Sequence, residues 1–123
     1  MIGKVCILTA PYYNVTTGRN DFKSRPALII GEADRGDYNI LPVSKVSNRA
    51  NLDADCDVPV DPSVYTKLSL TAMSYVRTHK QTTFHRASLH SVIGDMRMDY
   101  PELYLDVMAK LDGYNKKLIE EAF

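Results

Sequence analysis

Arg25-Pro26-Ala27-Leu28-Ile29-Ile30-Gly31 and, beyond a polar turn, Ile40-Leu41-Pro42-Val43-Ser44-Lys45 are the stretches that decide the fold. Both are short apolar runs rich in branched side chains and bounded by glycine, proline and charge, which read as neighbouring β-strands. The segment between them, Glu32 to Tyr38, contains Asp34-Arg35-Gly36-Asp37 and has the composition of an exposed hairpin tip. Folding the two runs together sets a fixed cation, Arg25, and a small hydroxyl, Ser44, at matching ends of two consecutive strands.

Working outward, Ile2 to Thr9 reads as a first strand ended by Ala10-Pro11, and Tyr12 to Ser24 as a long loop with Gly18, Asn20 and Asp21 as turn formers. A loop held beside a rigid sheet is where binding residues concentrate. Pro26 to Gly31 is the second strand and Asn39 to Val46 the third. Asp57 to Val60 is a short strand and Leu68 to His79 a longer one. Period-two alternation puts Leu70, Ala72, Ser74, Val76 and Thr78 on one face of that strand, with Met73, Tyr75, Arg77 and His79 on the other. The period then changes: Tyr104, Val107, Met108, Leu111, Tyr114, Leu118 and Ala122 recur at helical spacing. Asp99 is the expected cap, Pro101 sits in the first turn, and Gly113 is a place where the helix could divide. Short strands, tight turns and one closing helix predict a mainly β chain with some α: a small SH3-like barrel with a C-terminal helix.

Two further pieces extend the pattern, Ser74-Tyr75-Val76-Arg77-Thr78 and Leu89 to Met96 with Ile93-Gly94. Together with the Arg-Pro-Ala strand start and the Pro-Val-Ser strand end, they resemble the MazF/PemK family of ribonuclease toxins of type II toxin–antitoxin systems. Residues 2 to 115 are covered. Ser44 stands where that family has threonine, while Lys45 replaces serine and Tyr75 replaces glutamine.

That resemblance implies a single toxin domain over residues 1–123 with the PemK/MazF-like barrel. The implied activity is a sequence-specific endoribonuclease, or mRNA interferase, that needs no metal or other cofactor. Such an enzyme cuts single-stranded RNA through the neighbouring ribose 2′-hydroxyl, leaving 2′,3′-cyclic phosphate and 5′-hydroxyl ends. The resemblance also implies a homodimer with RNA crossing its interface, a growth-inhibiting effect, and a cognate antitoxin that blocks the groove with a disordered tail and joins the toxin in DNA binding.

Composition constrains this reading. A chain of 123 residues suits one hydrophobic core. It has no apolar run near the roughly 20 residues that cross a bilayer, and its start lacks signal-peptide organisation, so no membrane role and a cytoplasmic location are expected. The two cysteines, Cys6 and Cys56, have no metal-ligand spacing and fit free thiols in a reducing compartment. Fifteen basic and fifteen acidic residues leave no net charge, so any nucleic-acid site must be local. Asp53, Asp55 and Asp57 mimic the start of a calcium loop, but Val58 and Val64 stand where glycine and a bidentate glutamate are required.

The residue chemistry assigns roles. Arginine presents five donors in a planar fork and keeps its charge, which suits a phosphorane but not proton transfer. Arg25 is accordingly the candidate stabiliser of the transition-state anion, and Ser44 the candidate donor to the scissile phosphate or 2′-hydroxyl. His79, of a residue type that titrates near neutrality, is the candidate accessory proton carrier, ahead of His85 and His90. Arg19, Lys23, Lys45, Tyr75, Arg77 and Thr78 are the candidate RNA contacts, with Tyr12, Tyr13 and Tyr75 as stacking platforms. A second reading is a catalytically silent barrel or gyrase-poison-like binder, whose key residues would lie on the C-terminal helix.

Overall fold

The computed structural model describes residues 1–123. Seven strands, β1 (Lys4–Asn14), β2 (Arg19–Glu32), β3 (Asp37–Ser44), β4 (Asp57–Val60), β5 (Ser74–Arg77), β6 (Thr82–His85) and β7 (Leu89–Asp95), precede helices α1 (Met96–Asp99) and α2 (Pro101–Ala122). All pairings are antiparallel, in the order β4-β5-β3-β2-β1-β7, with β6 pairing the start of β3. The result is a strongly curved half-barrel capped by α2, the mainly β SH3-like architecture expected from the sequence.

Alternation along the central strands builds a core on each face of the sheet. Val5, Leu28, Leu41, Val43, Val58 and Val76 point to one side, where Leu68, Met96, Leu103 and Val107 complete the larger core. Cys6, Leu8, Ala27, Ile29 and Ile40 point to the other, beneath Phe84, Leu89 and Tyr38. Sealing both faces this way buries three consecutive residues of β2, Ala27, Leu28 and Ile29.

Three expectations are corrected. Tyr12 to Ser24 is not a loop: β1 and β2 continue as a hairpin, pairing Tyr12 with Asp21, Tyr13 with Asn20 and Asn14 with Arg19. Gly18 supplies the turn at φ +69°, and the Asn14 Oδ1 accepts hydrogen bonds from the Thr16 and Thr17 N–H groups. Leu68 to His79 is not one strand, because Ser69 adopts a left-handed φ of 57° and only Ser74–Arg77 remains paired. Thr78–Lys80 coils into a 3-10 turn. The helix divides at Tyr100 and not at Gly113: Asp95 caps α1 by accepting from the Met98 N–H, Tyr100 precedes Pro101 of α2, and Asp99 faces Lys67 at 4.0 Å. The stretch from Gln81 to Ser91, to which the sequence assigned no element, yields β6 and the start of β7, since Thr82-Thr83-Phe84 pairs with Tyr38, Asn39 and Ile40.

Candidate nucleic-acid site

Pro26 and Pro42 flank the point where β2 and β3 part. Ala27 pairs with Pro42 as the last rung of their ladder. Proline has no N–H to donate, so the ladder stops there and the strands splay. The same register carried two residues further sets Arg25 across from Ser44. Arg25 is held on its other side by pairing with Leu8 of β1, and Ser44 by pairing with Tyr75 of β5. Both residues are therefore mounted on paired strands, and Arg25 lies mid-strand, not at a strand start.

Two depressions of about 330 Å³ each adjoin along Arg25 and Ser44, which line both. The first opens toward the larger core, against Val43 and Ile93, and is rimmed by Lys23, Lys45 and the hydroxyls of Ser69, Thr71 and Ser74. The second opens toward the smaller core, floored by Leu8, Ala27 and Ile40 and walled by Pro42 and Phe84, with Arg77, Lys80 and Thr82 at its edge. Four further cations thus surround the pair, and no carboxylate lines either depression although the chain carries fifteen.

Arg25 has no ion-pair or hydrogen-bond partner; Asp21, its nearest sequence candidate, instead accepts from the Asn14 side-chain amide at 3.1 Å. The Ser44 hydroxyl is likewise unpartnered, so neither group is consumed by local structure. Arg77 is different. Its Nε donates to Asp57 Oδ1 at 3.0 Å and its Nη2 to the Asn51 carbonyl at 2.8 Å, so its charge is largely matched before any ligand arrives.

Of the other sequence candidates, Lys23 and Lys45 lie in the first depression. Arg19 sits on the hairpin opposite Asn14, with Tyr12 and Tyr13 exposed beside it, outside both depressions. Tyr75 pairs with Ser44 but lines neither. Thr78 is fully buried and its hydroxyl donates to the Cys56 carbonyl at 2.6 Å, a structural bond that removes it from any surface. His79 lines neither depression: it packs edge-on against Tyr114 of α2, its Nε2 lies 3.5 Å from Arg77 Nη2, and its Nδ1 is 3.8 Å from Asp57 Oδ1 without a hydrogen bond of its own. Phe84, Ser69 and Thr71 were not foreseen. Only the β-forming run Thr82-Thr83-Phe84 carried a readable signal for one of them.

A third depression, of about 610 Å³, lies between Asp53–Cys56 and the outer half of α2. It mixes Asp53, Asp55 and Glu121 with Lys110 and Lys117, and Lys110 is tied to the Ala54 carbonyl at 2.8 Å. This is where the binding-module reading would place its residues, and its mixed charge distinguishes it from the all-cationic pair of depressions.

No sequence-family model matches the chain, and no curated protein does either. Among solved structures, the Mycobacterium tuberculosis toxin MazF-mt6 is similar over 87% of this chain and 96% of that one, with a TM-score of 0.53 and 20% identity. The fold is MazF-like. At that identity the likeness concerns backbone architecture alone. No helix is long and apolar enough to cross a membrane.

Proposed function

We infer that the chain is a metal-independent endoribonuclease toxin, a single domain over residues 1–123 that cuts single-stranded RNA. The observation that carries this reading is the pair of adjoining depressions, all-cationic in a chain of zero net charge, with unpartnered Arg25 and Ser44 on the line between them. Phosphate binding needs local positive charge, and a partner-free guanidinium offers it in bidentate form.

In the mechanism that follows, the scissile phosphate rests against Arg25 and Ser44. The ribose 2′-oxygen attacks phosphorus, the bond to the 5′-oxygen breaks, and that oxygen leaves with a proton. Arg25 stabilises the extra charge on the pentacoordinate phosphorane, and Ser44 donates to a non-bridging oxygen. No imidazole or carboxylate lines either depression, so protons pass to and from solvent. Products are a 2′,3′-cyclic phosphate and a 5′-hydroxyl. By analogy with similar toxins, the working form is a homodimer controlled by an antitoxin protein.

The test is incubation of the purified chain with a long single-stranded RNA in the presence of chelator. Cleavage with 5′-hydroxyl ends that disappears in Arg25→Ala supports the assignment. Intact RNA at high protein concentration, or products bearing 5′-phosphate, refutes it.

A further inference from the structure

The two depressions that share Arg25 and Ser44 are chemically unlike. One is rimmed by serine and threonine hydroxyls and lysines; the other has a floor of Leu8, Ala27 and Ile40 and walls of Pro42 and Phe84. Phosphate and ribose have no use for an apolar basin, whereas an unstacked nucleobase does. Sequence-selective recognition of single-stranded RNA proceeds by splaying bases out and stacking them on aromatic side chains. Phe84 is the only aromatic residue in either lining.

We propose that the Phe84 basin receives one unstacked nucleobase, belonging to a nucleotide adjoining the phosphate held at Arg25 and Ser44, and that Phe84 determines base preference at that position. This rests on the ribonuclease reading and adds a specificity residue to it. Charge favours RNA as the occupant: Arg25 and Lys80 both line the basin and no carboxylate does, while Arg77 at its edge is already matched by Asp57. Phe84 is half-buried and anchored on the smaller core, and its strand is paired to β3 at Tyr38, so the ring is held in place before ligand arrives. Preorganisation of that kind lowers the ordering cost of stacking. Thr82, which pairs with Ile40 on the same strand, and Lys80 supply the nearby polar groups that can read the edge of the seated base. On this view the hydroxyl-lined depression takes the neighbouring nucleotide, and the bond to be cut lies on the boundary between them.

The experiment uses short single-stranded oligonucleotides with 2′-O-methyl riboses throughout, so that no bond can be cut, each carrying one 2-aminopurine at a successive position. Titrated with the intact chain, one position should lose fluorescence as its base stacks in the basin. Phe84→Tyr should keep that response. Phe84→Leu, which retains apolar packing without a flat ring, should abolish it and weaken binding about 5- to 150-fold, the contribution of one stacked base. On cleavable RNA, Phe84→Leu should still cut but with relaxed preference at one position beside the cleaved bond. Absence of any responsive position, or a Phe84→Leu variant that responds as the parent does, overturns the proposal. Cleavage of unmodified RNA by the parent chain is a separate readout, so the ribonuclease reading can stand while this one falls.

Discussion

Asp57 is the residue whose removal should cost the fold most for its size. Its side chain is 3% exposed and faces Arg77, which is 18% exposed, at 3.0 Å. The second oxygen accepts from the Asp53 N–H at 2.8 Å, and a longer bond comes from Arg77 Nη2 at 3.4 Å. At an effective dielectric of about 20, unit charges at this separation attract by roughly 5 kcal/mol, the ceiling before desolvation is subtracted. Truncation of one partner leaves the other charge buried and unmatched, which costs about 3–5 kcal/mol. Asp57→Ala should therefore destabilise by that amount and, for a chain of this length, lower the Tm by roughly 12–20 °C. The measurement is urea unfolding followed by circular dichroism, with Arg77→Met and the double variant completing a thermodynamic cycle. The double variant should be more stable than Asp57→Ala alone, because no orphaned guanidinium remains. A loss below about 1 kcal/mol in Asp57→Ala at unchanged m-value, or strictly additive effects, would sink the claim that this pair locks β4 to β5.

Other outcomes follow from the same structure. Arg25→Ala should slow RNA cleavage by on the order of 10²- to 10³-fold without altering the thermal melt, and Arg25→Lys should recover little because an ammonium cannot grip two oxygens. Ser44→Thr should cut like the parent, whereas Ser44→Ala should slow the step with RNA affinity nearly unchanged, as read by single-turnover kinetics beside filter binding. A Cβ at Gly94 would lie 2.8 Å from both the Leu68 Cα and the Lys67 carbonyl oxygen, so Gly94→Ala should destabilise by about 1–3 kcal/mol in the same urea assay. In acid, Asp53 and Asp61 have carboxyl pKa values lowered from 3.8, first by the backbone N–H of Asp55 and by the Ser63 hydroxyl respectively. Their contribution is present above the ordinary carboxylate pKa and fades as pH falls through the lowered one, so Asp53→Asn with Asp61→Asn should flatten the acid limb of stability against pH.

Much of the sheet was legible because the central strands keep period two and carry branched apolar residues: β2 and β3 are each bounded by polar turns, and Val76 and Thr78 alternate inward as their spacing implies. The same alternation argued against Thr78 as an RNA contact, since a residue in phase with Val76 belongs inside. The hairpin extension was hidden because Gly18, Asn20 and Asp21 are turn formers whether they end a strand or decorate a long arm, and only pairing across Tyr12 and Asp21 decides. Leu68 and Leu70 continued an apparent strand pattern, yet the left-handed Ser69 between them breaks it, and no local residue preference announces that conformation. Arg25 and Ser44 were singled out by the two runs together with the family resemblance, and the sheet brings them to one place. Phe84 was missed because it reaches the site through β6, whose pairing to β3 is separated from it by some forty residues of chain.

The prolines at positions 26 and 42 have a consequence for control. They open the sheet at one place without loosening it, so Arg25 and Ser44 stand beside a gap whose width is fixed by Leu8 on one side and Tyr75 on the other. On the ribonuclease reading, a site of this build has no lid to swing and no dormant geometry to leave. Silencing it then becomes a question of occupancy. On that same reading, a partner that holds the chain in check fills the gap itself with something as negative as RNA, and release follows the departure of that plug.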